Sequence, residues 1–209
     1  MTRFRHTRGR LDRYRRWRVV VHGYVGTIVM ILDLKDPTRP EEVGRWWMDG
    51  QWTAGGEIPS WKGRNHRCHH PIRRGDRLYV SYWYGGGAIL DISDMTRPRM
   101  ISSLDWSPPF GWPTHSLVPI DVPIAGHRWM LVADEHAQPL DPDLSPELPA
   151  MVWMVNITDE TRPIPVSCFQ MPDVPPGSQR VCSNDVYVDH RGLIYLIDRN
   201  RGLSILERV

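Results

Sequence analysis

The stretch Ala88–Pro98, A-I-L-D-I-S-D-M-T-R-P, recurs twice more in this chain of 209 residues: as Met30–Pro40 (M-I-L-D-L-K-D-P-T-R-P) and as Trp153–Pro163 (W-M-V-N-I-T-D-E-T-R-P). All three share an apolar pair, Asp or Asn, an apolar residue, a variable position, Asp, two further positions and Arg-Pro. Asp33, Asp91 and Asn156 are 58 and 65 residues apart, and a worn fourth copy, Ser204-Ile205-Leu206-Glu207, ends 51 residues beyond Asn156. Self-similarity at such a period means stacked units, none of which can bury its apolar face alone.

Each copy reads as a short apolar strand that stops at a turn. In Ile89–Ile92 only Asp91 breaks the apolar run, as expected of a strand covered on both faces. Asp94, Thr96 and Pro98 supply the turn, through a side-chain bond to the backbone and a proline that cannot continue a ladder. A strand follows each copy (Glu42–Trp47, Met100–Asp105, Ile164–Phe169), and another precedes it (Arg77–Trp83, Arg128–Ala133, Gly192–Ile197). Ahead of these lie candidate innermost strands at Cys68–Ile72, Thr114–Ile120 and Ser183–Val188. Four antiparallel strands per repeat joined by turns are the content of a propeller blade. The expected fold is therefore an all-β propeller with about four blades represented, at about 17–48, 66–106, 114–170 and 182–207. Residues 1–16 are expected to be an Arg-rich, disordered segment.

The pattern I-L-D-[LI]-x-D-x-x-R-P, after a Tyr-Val strand and a glycine run, resembles the LVIVD-repeat β-propeller proteins over roughly Trp17–Leu206. The segment Asp76–Pro98 is also similar, more weakly, to a blade of the selenium-binding protein (methanethiol oxidase) family. That second resemblance implies a histidine-bound copper; the first implies a fold more than an activity.

Composition narrows the classes. Apolar residues make up 41%, and 19 prolines and 17 glycines suit many strands and turns. No apolar run reaches the length of a membrane span. Three cysteines without paired spacing argue against a disulfide-stapled secreted domain. The net charge of +2 hides an asymmetry. Eight arginines against Asp12 give +7 over the first eighteen residues, and 18 basic against 23 acidic give −5 over the rest. The basic run is read as a solvated tail, not a nucleic-acid-binding arm. No secretory signal follows it, which favours a cytoplasmic location, with a truncated or mis-assigned start as the reading of its abruptness. The first blade lacks an innermost strand and the last an outer one. An incomplete propeller is the favoured account, and its open edges predict self-association.

Propeller topology sorts the histidines by face. His66, His69 and His70 precede or open the inner strand of the second blade, and His115 opens that of the third. Asn184 and Asp185 hold the equivalent place in the fourth. Loops between second and third strands return to the same face, bringing His136, Trp83, Tyr84, Arg199 and Asn200. His127 and His190 fall at the opposite face, and His22 within a strand. The predicted metal set is His66, His69, His70, His115, His136 and Asp185, holding Cu, Fe, Zn or Mn. Two readings stand beside it: an axial site for a small organic ligand, and imidazoles that merely bond loop carbonyls. The functional expectation is a metal or small-ligand site supporting oxidoreductase chemistry; the rival is a non-catalytic interaction scaffold. Cys68 reads as a buried, inert thiol. Ser116 beside His115 does not read as a hydrolase: there is no nucleophile elbow, and adjacent strand residues point to opposite faces. Of the ten tryptophans, Trp46, Trp47, Trp106, Trp129 and Trp153 read as blade packing, while Trp52, Trp61 and Trp112 sit in loops.

Overall fold

The computed structural model describes residues 17–21, 28–59, 66–106, 110–135, 150–171 and 181–207. They form four antiparallel sheets, each a run of neighbouring strands in chain order. The first holds β1 (Trp17–Val21), β2 (Val29–Asp33) and β3 (Glu41–Trp46). The second holds β4 (Pro71–Arg74), β5 (Arg77–Ser81), β6 (Gly87–Asp91) and β7 (Arg99–Leu104). The third holds β8 (Thr114–Pro119), β9 (Trp129–Asp134), β10 (Val152–Asn156) and β11 (Ile164–Phe169). The fourth holds β12 (Ser183–Val188), β13 (Ile194–Asp198) and β14 (Gly202–Leu206). A single 3-10 turn at Thr53–Gly55 is the only helical element among the described residues, and none is long and apolar enough to cross a membrane. Residues 1–16, His22, Trp61, His136 and the proline-rich joints at 107–109 and 172–176 lie outside the described residues.

The repeated motif produces the same local structure three times. Asp36, Asp94 and Asp159 each accept, through Oδ1, the amide and the hydroxyl of the threonine two residues on, at 3.0 Å and 2.6–2.7 Å. Just upstream, Asp33, Asp91 and Asn156 cap the end of β2, β6 and β10 by accepting the amides of Lys35, Ser93 and Thr158. At one equivalent step the strand that follows each of these carries the extra residue of a bulge: Val43 in β3, Ile101 in β7 and Val166 in β11. Such bulges increase the local twist.

Blades stack through three apolar layers. Val29 and Ile31 meet Leu78, Val80, Leu90 and Ile92 between the first and second. Tyr79 and Ile89 meet Leu117, Met130, Val132 and Val155 between the second and third. Leu131, Ala133 and Val152 meet Val186 and Leu196 between the third and fourth. Each such aliphatic side chain contributes about 1.5–3 kcal/mol on full burial. The contacts between layers also show two solutions at one position. Ser102 Oγ donates to the Glu160 carbonyl at 2.6 Å across the second interface. At the first interface the equivalent residue is Gly44, and the equivalent Met95 carbonyl lies where any Cβ would stand.

No ladder joins the first sheet to the last among the described residues. Among the described residues, the face of the fourth sheet turned away from the third is largely exposed. Tyr187, Ile197, Leu203 and Ile205, brought together by strand register, are 46–59% exposed there.

One expected boundary moves. The inner strand of the second blade begins at Pro71, not at Cys68. Ser81 accounts for this: its carbonyl accepts the His69 amide, and its hydroxyl takes the His70 amide at 2.8 Å in place of a ladder carbonyl. The chain consequently leaves the sheet at the two histidines.

Candidate metal centre

The departure at Ser81 places His69 and His70 at the mouth of the inner strands, with rings stacked at 4.2 Å. His115 reaches the same place by a different device. In β8 the register shifts between Thr114 and Ser116, so His115 occupies a bulge. Bulges re-aim side chains at the ends of strands. The His115 ring meets those of His69 and His70 edge-on, at 4.7 and 4.5 Å. One ring nitrogen from each of the three lies within 4.8 Å of the others. The fourth blade has the same bulge, between Ser183 and Asp185, with Asn184 in the place of His115.

The bulge also overturns the premise that Ser116 and His115 face apart. Ser116 Oγ lies 2.8 Å from His115 Nδ1 and donates to Asp185 Oδ1 at 2.5 Å. A hydroxyl has one proton, and it goes to the carboxylate. The Nδ1 of His115 must then carry hydrogen and donate to Ser116, which leaves Nε2 with its lone pair. Asp185 thus acts on His115 through Ser116, its Oδ1 standing 3.9 Å from Nδ1. The order His–Ser–Asp is not a nucleophilic triad, in which the imidazole lies between the other two. Ser116 is a fully buried relay that fixes a tautomer.

Burial keeps the His69 and His115 rings neutral. Burial pushes His69 down to about 3, helped by the neighbouring His70, His115, Arg67 and Arg199. His115 is lowered too, chiefly by burial and then by His70, against the opposing pull of Glu135 and Asp185. Neutral imidazoles are the form that binds first-row metals. Trp83 walls the cluster, its ring 4.7 Å from that of His69 and 4.4 Å from the Arg67 guanidinium carbon. Its φ of 54° is a strained conformation for a bulky residue. Backbone bridges to His66 and Thr114 hold it there, joining the second blade to the third.

Of the other residues expected at this face, His66 lies outside the three-histidine group. Its ring rests on Gly85, where a Cβ would come within 2.9 Å of Nδ1. His136 is outside the described residues. His127 bonds Thr158 at the far face, and His190 lines a separate cavity there of about 700 Å³. Trp112 is buried, so it is packing and not a stacking platform, while Trp52 is 55% exposed. Two residues gain a role that sequence reasoning did not give them. Glu135 follows β9 and is buried beside the cluster, with Oε2 3.9 Å from His69 Nε2. Arg199, from the loop after β13, donates to its other oxygen, Oε1. The signal was available: Glu135 precedes His136 in a returning loop already assigned to this face.

No family model matches the chain, and no curated protein matches it. Among solved structures, the periplasmic gluconolactonase of Pseudomonas aeruginosa superposes with a TM-score of 0.55 at 14% identity, over 93% of this chain and 54% of that one. Fold and comparison together define a β-propeller. This chain spans about half the length of the gluconolactonase.

Proposed function

We propose that this protein is an LVIVD-type propeller whose axial face binds one first-row transition metal through His69, His70 and His115, and supports oxidoreductase chemistry on a small ligand. The observation that carries the reading is the convergence of three imidazoles, from two blades, at one strand mouth, with His69 and His115 held uncharged chiefly by burial. Three imidazoles suit Cu, Fe or Zn, and a nearby carboxylate extends the range to Mn. Such an ion, when bound, supplies redox capacity or Lewis acidity, according to its identity. The chain's own part is to fix the His115 tautomer through Ser116 and Asp185, to keep His69 and His115 unprotonated by burial, and to wall one side with Trp83. His69 and His70 are only part-buried, so a small molecule has access. The blade motif at Asp33, Asp91 and Asn156 supports the LVIVD-type assignment. The gluconolactonase is an enzyme on a similar fold, which is compatible with catalysis on this scaffold without indicating a substrate.

Metal analysis tests the reading. Protein reconstituted with Cu, Fe, Zn or Mn should hold one ion per chain, and the His69→Ala, His115→Ala double variant should hold none. A wild-type chain that retains no ion after loading overturns it.

A second reading, an interaction scaffold, is favoured by the exposed apolar face of the fourth sheet. Contiguous exposed apolar surface of this kind marks contact sites. Sedimentation should then show concentration-dependent association that Ile205→Lys abolishes. A monomer at all concentrations removes self-association through this face.

A further inference from the structure

We infer that Glu135 is the carboxylate ligand that completes the metal centre, and that Arg199 is its positioning residue. The inference rests on the three-histidine site proposed above and adds a fourth donor to it. Glu135 is 93% buried by its 7% side-chain exposure, yet its Oε2 has no hydrogen-bond partner among the described residues. The nitrogen it faces, His69 Nε2, is itself shielded from solvent, on a side chain 27% exposed, and likewise has no such partner. A buried polar atom left unpaired costs roughly 1–3 kcal/mol, so two such atoms facing each other call for a shared partner. At 3.9 Å they are too far apart to bond each other directly. Ligand bonds of about 2.0–2.2 Å place two donors on one ion up to about 4 Å apart, a limit that the Glu135–His69 pair just meets; Glu135 is not within 4.8 Å of all three histidines, so it closes on a shared ion by a side-chain rotation.

Charge leads to the same assignment. Three neutral imidazoles leave the charge of a divalent ion uncompensated in a part-buried site, and one carboxylate offsets half of it. Arg199 takes Oε1, so Glu135 is held by one oxygen with the other turned to His69. The Glu135 amide donates to the Pro113 carbonyl at 2.8 Å, which fixes the backbone beside β8, the strand that carries His115. Asp185, engaged by Ser116 and by the Val186 amide, is not available for this role with the same oxygen.

The probe is Co2+, whose visible spectrum reports the number and kind of its ligands. Wild-type protein, Glu135→Gln, Arg199→Met and His69→Ala are titrated with it. Glu135→Gln is expected to bind at least tenfold more weakly and to shift the visible bands. Arg199→Met is expected to bind more weakly with the bands in place, because the carboxylate remains. Difference infrared spectra of the wild type, with and without Zn2+, should show a carboxylate stretch that moves on binding, which keeps the test valid if Glu135→Gln fails to fold. Wild-type affinity and bands in Glu135→Gln, with binding lost in His69→Ala, overturn the inference and leave the three-histidine site standing. An unmoved carboxylate band in metal-loaded wild type overturns it likewise. A wild type that binds no Co2+ removes both.

Discussion

Replacing Asp134 by asparagine should stabilise the protein at alkaline pH and leave it nearly unchanged in acid. Asp134 ends β9 and is fully buried. Its Oδ2 accepts the Trp153 indole N–H at 3.0 Å and the Met151 amide at 3.3 Å, and the Trp106 indole beside it also favours the charged form. Burial outweighs these donors and pushes the carboxyl up from 3.8 to about 7. The folded value lies above the unfolded one, so the native state binds more protons between about pH 4 and pH 7. Stability attributable to Asp134 therefore falls as pH rises through that window. A shift of about three units at 1.36 kcal/mol each amounts to about 4 kcal/mol, nearly all of it lost by pH 7. Asparagine mimics the neutral acid in shape and cannot ionise. Urea unfolding of both proteins at pH 4 and pH 8 measures the effect as a difference between differences. His69, held down at about 3, gives a slope of opposite sign, but it is common to both proteins and cancels. The variant should lie within about 1 kcal/mol of wild type at pH 4, and about 4 kcal/mol above it at pH 8. An equal offset at both values, or a variant weaker at pH 8, refutes the argument.

Gly44→Ala should destabilise by about 1–3 kcal/mol, because the added Cβ is driven into the Met95 backbone carbonyl and the two blades must part. Ser102→Ala, at the equivalent position of the next interface, should cost only about 1 kcal/mol for its bond to Glu160. Urea midpoints of the two variants check the ranking, and a harmless Gly44→Ala removes the close-approach argument. The thiols should differ as sharply. Cys168 is exposed and should react with a thiol reagent in the native protein, whereas Cys68, buried and with its pKa raised, should react only on unfolding. Fast labelling of Cys68 in native buffer contradicts the packing of the first blade interface.

The repeat was legible because its residues act locally. Asp94 and Thr96 bond within two positions of each other, as do Asp36 with Thr38 and Asp159 with Thr161, so the same letters yield the same turn wherever they occur. The apolar run Gly87–Asp91 likewise announces a strand covered on both sides, and all of Gly87–Leu90 is buried. The sequence also placed His69, His70 and His115 at one face, since strand direction alternates within a blade whatever the packing.

What lay beyond it depended on contacts distant in sequence or on backbone irregularity. A bulge at His115 has no mark in the letters Thr114–Ser116, and without it the alternation rule points Ser116 away from its partner. His66 is as close to Cys68 as His70 is, yet only the fold sets one ring on Gly85 and the other in the cluster. Glu135 and Arg199 are 64 residues apart, and their pairing exists only once the third and fourth blades stack. Sequence by itself determined the turns, the strands and the face. Tertiary structure decided which donors meet there, because distance between side chains on different blades is set by packing and not by spacing along the chain.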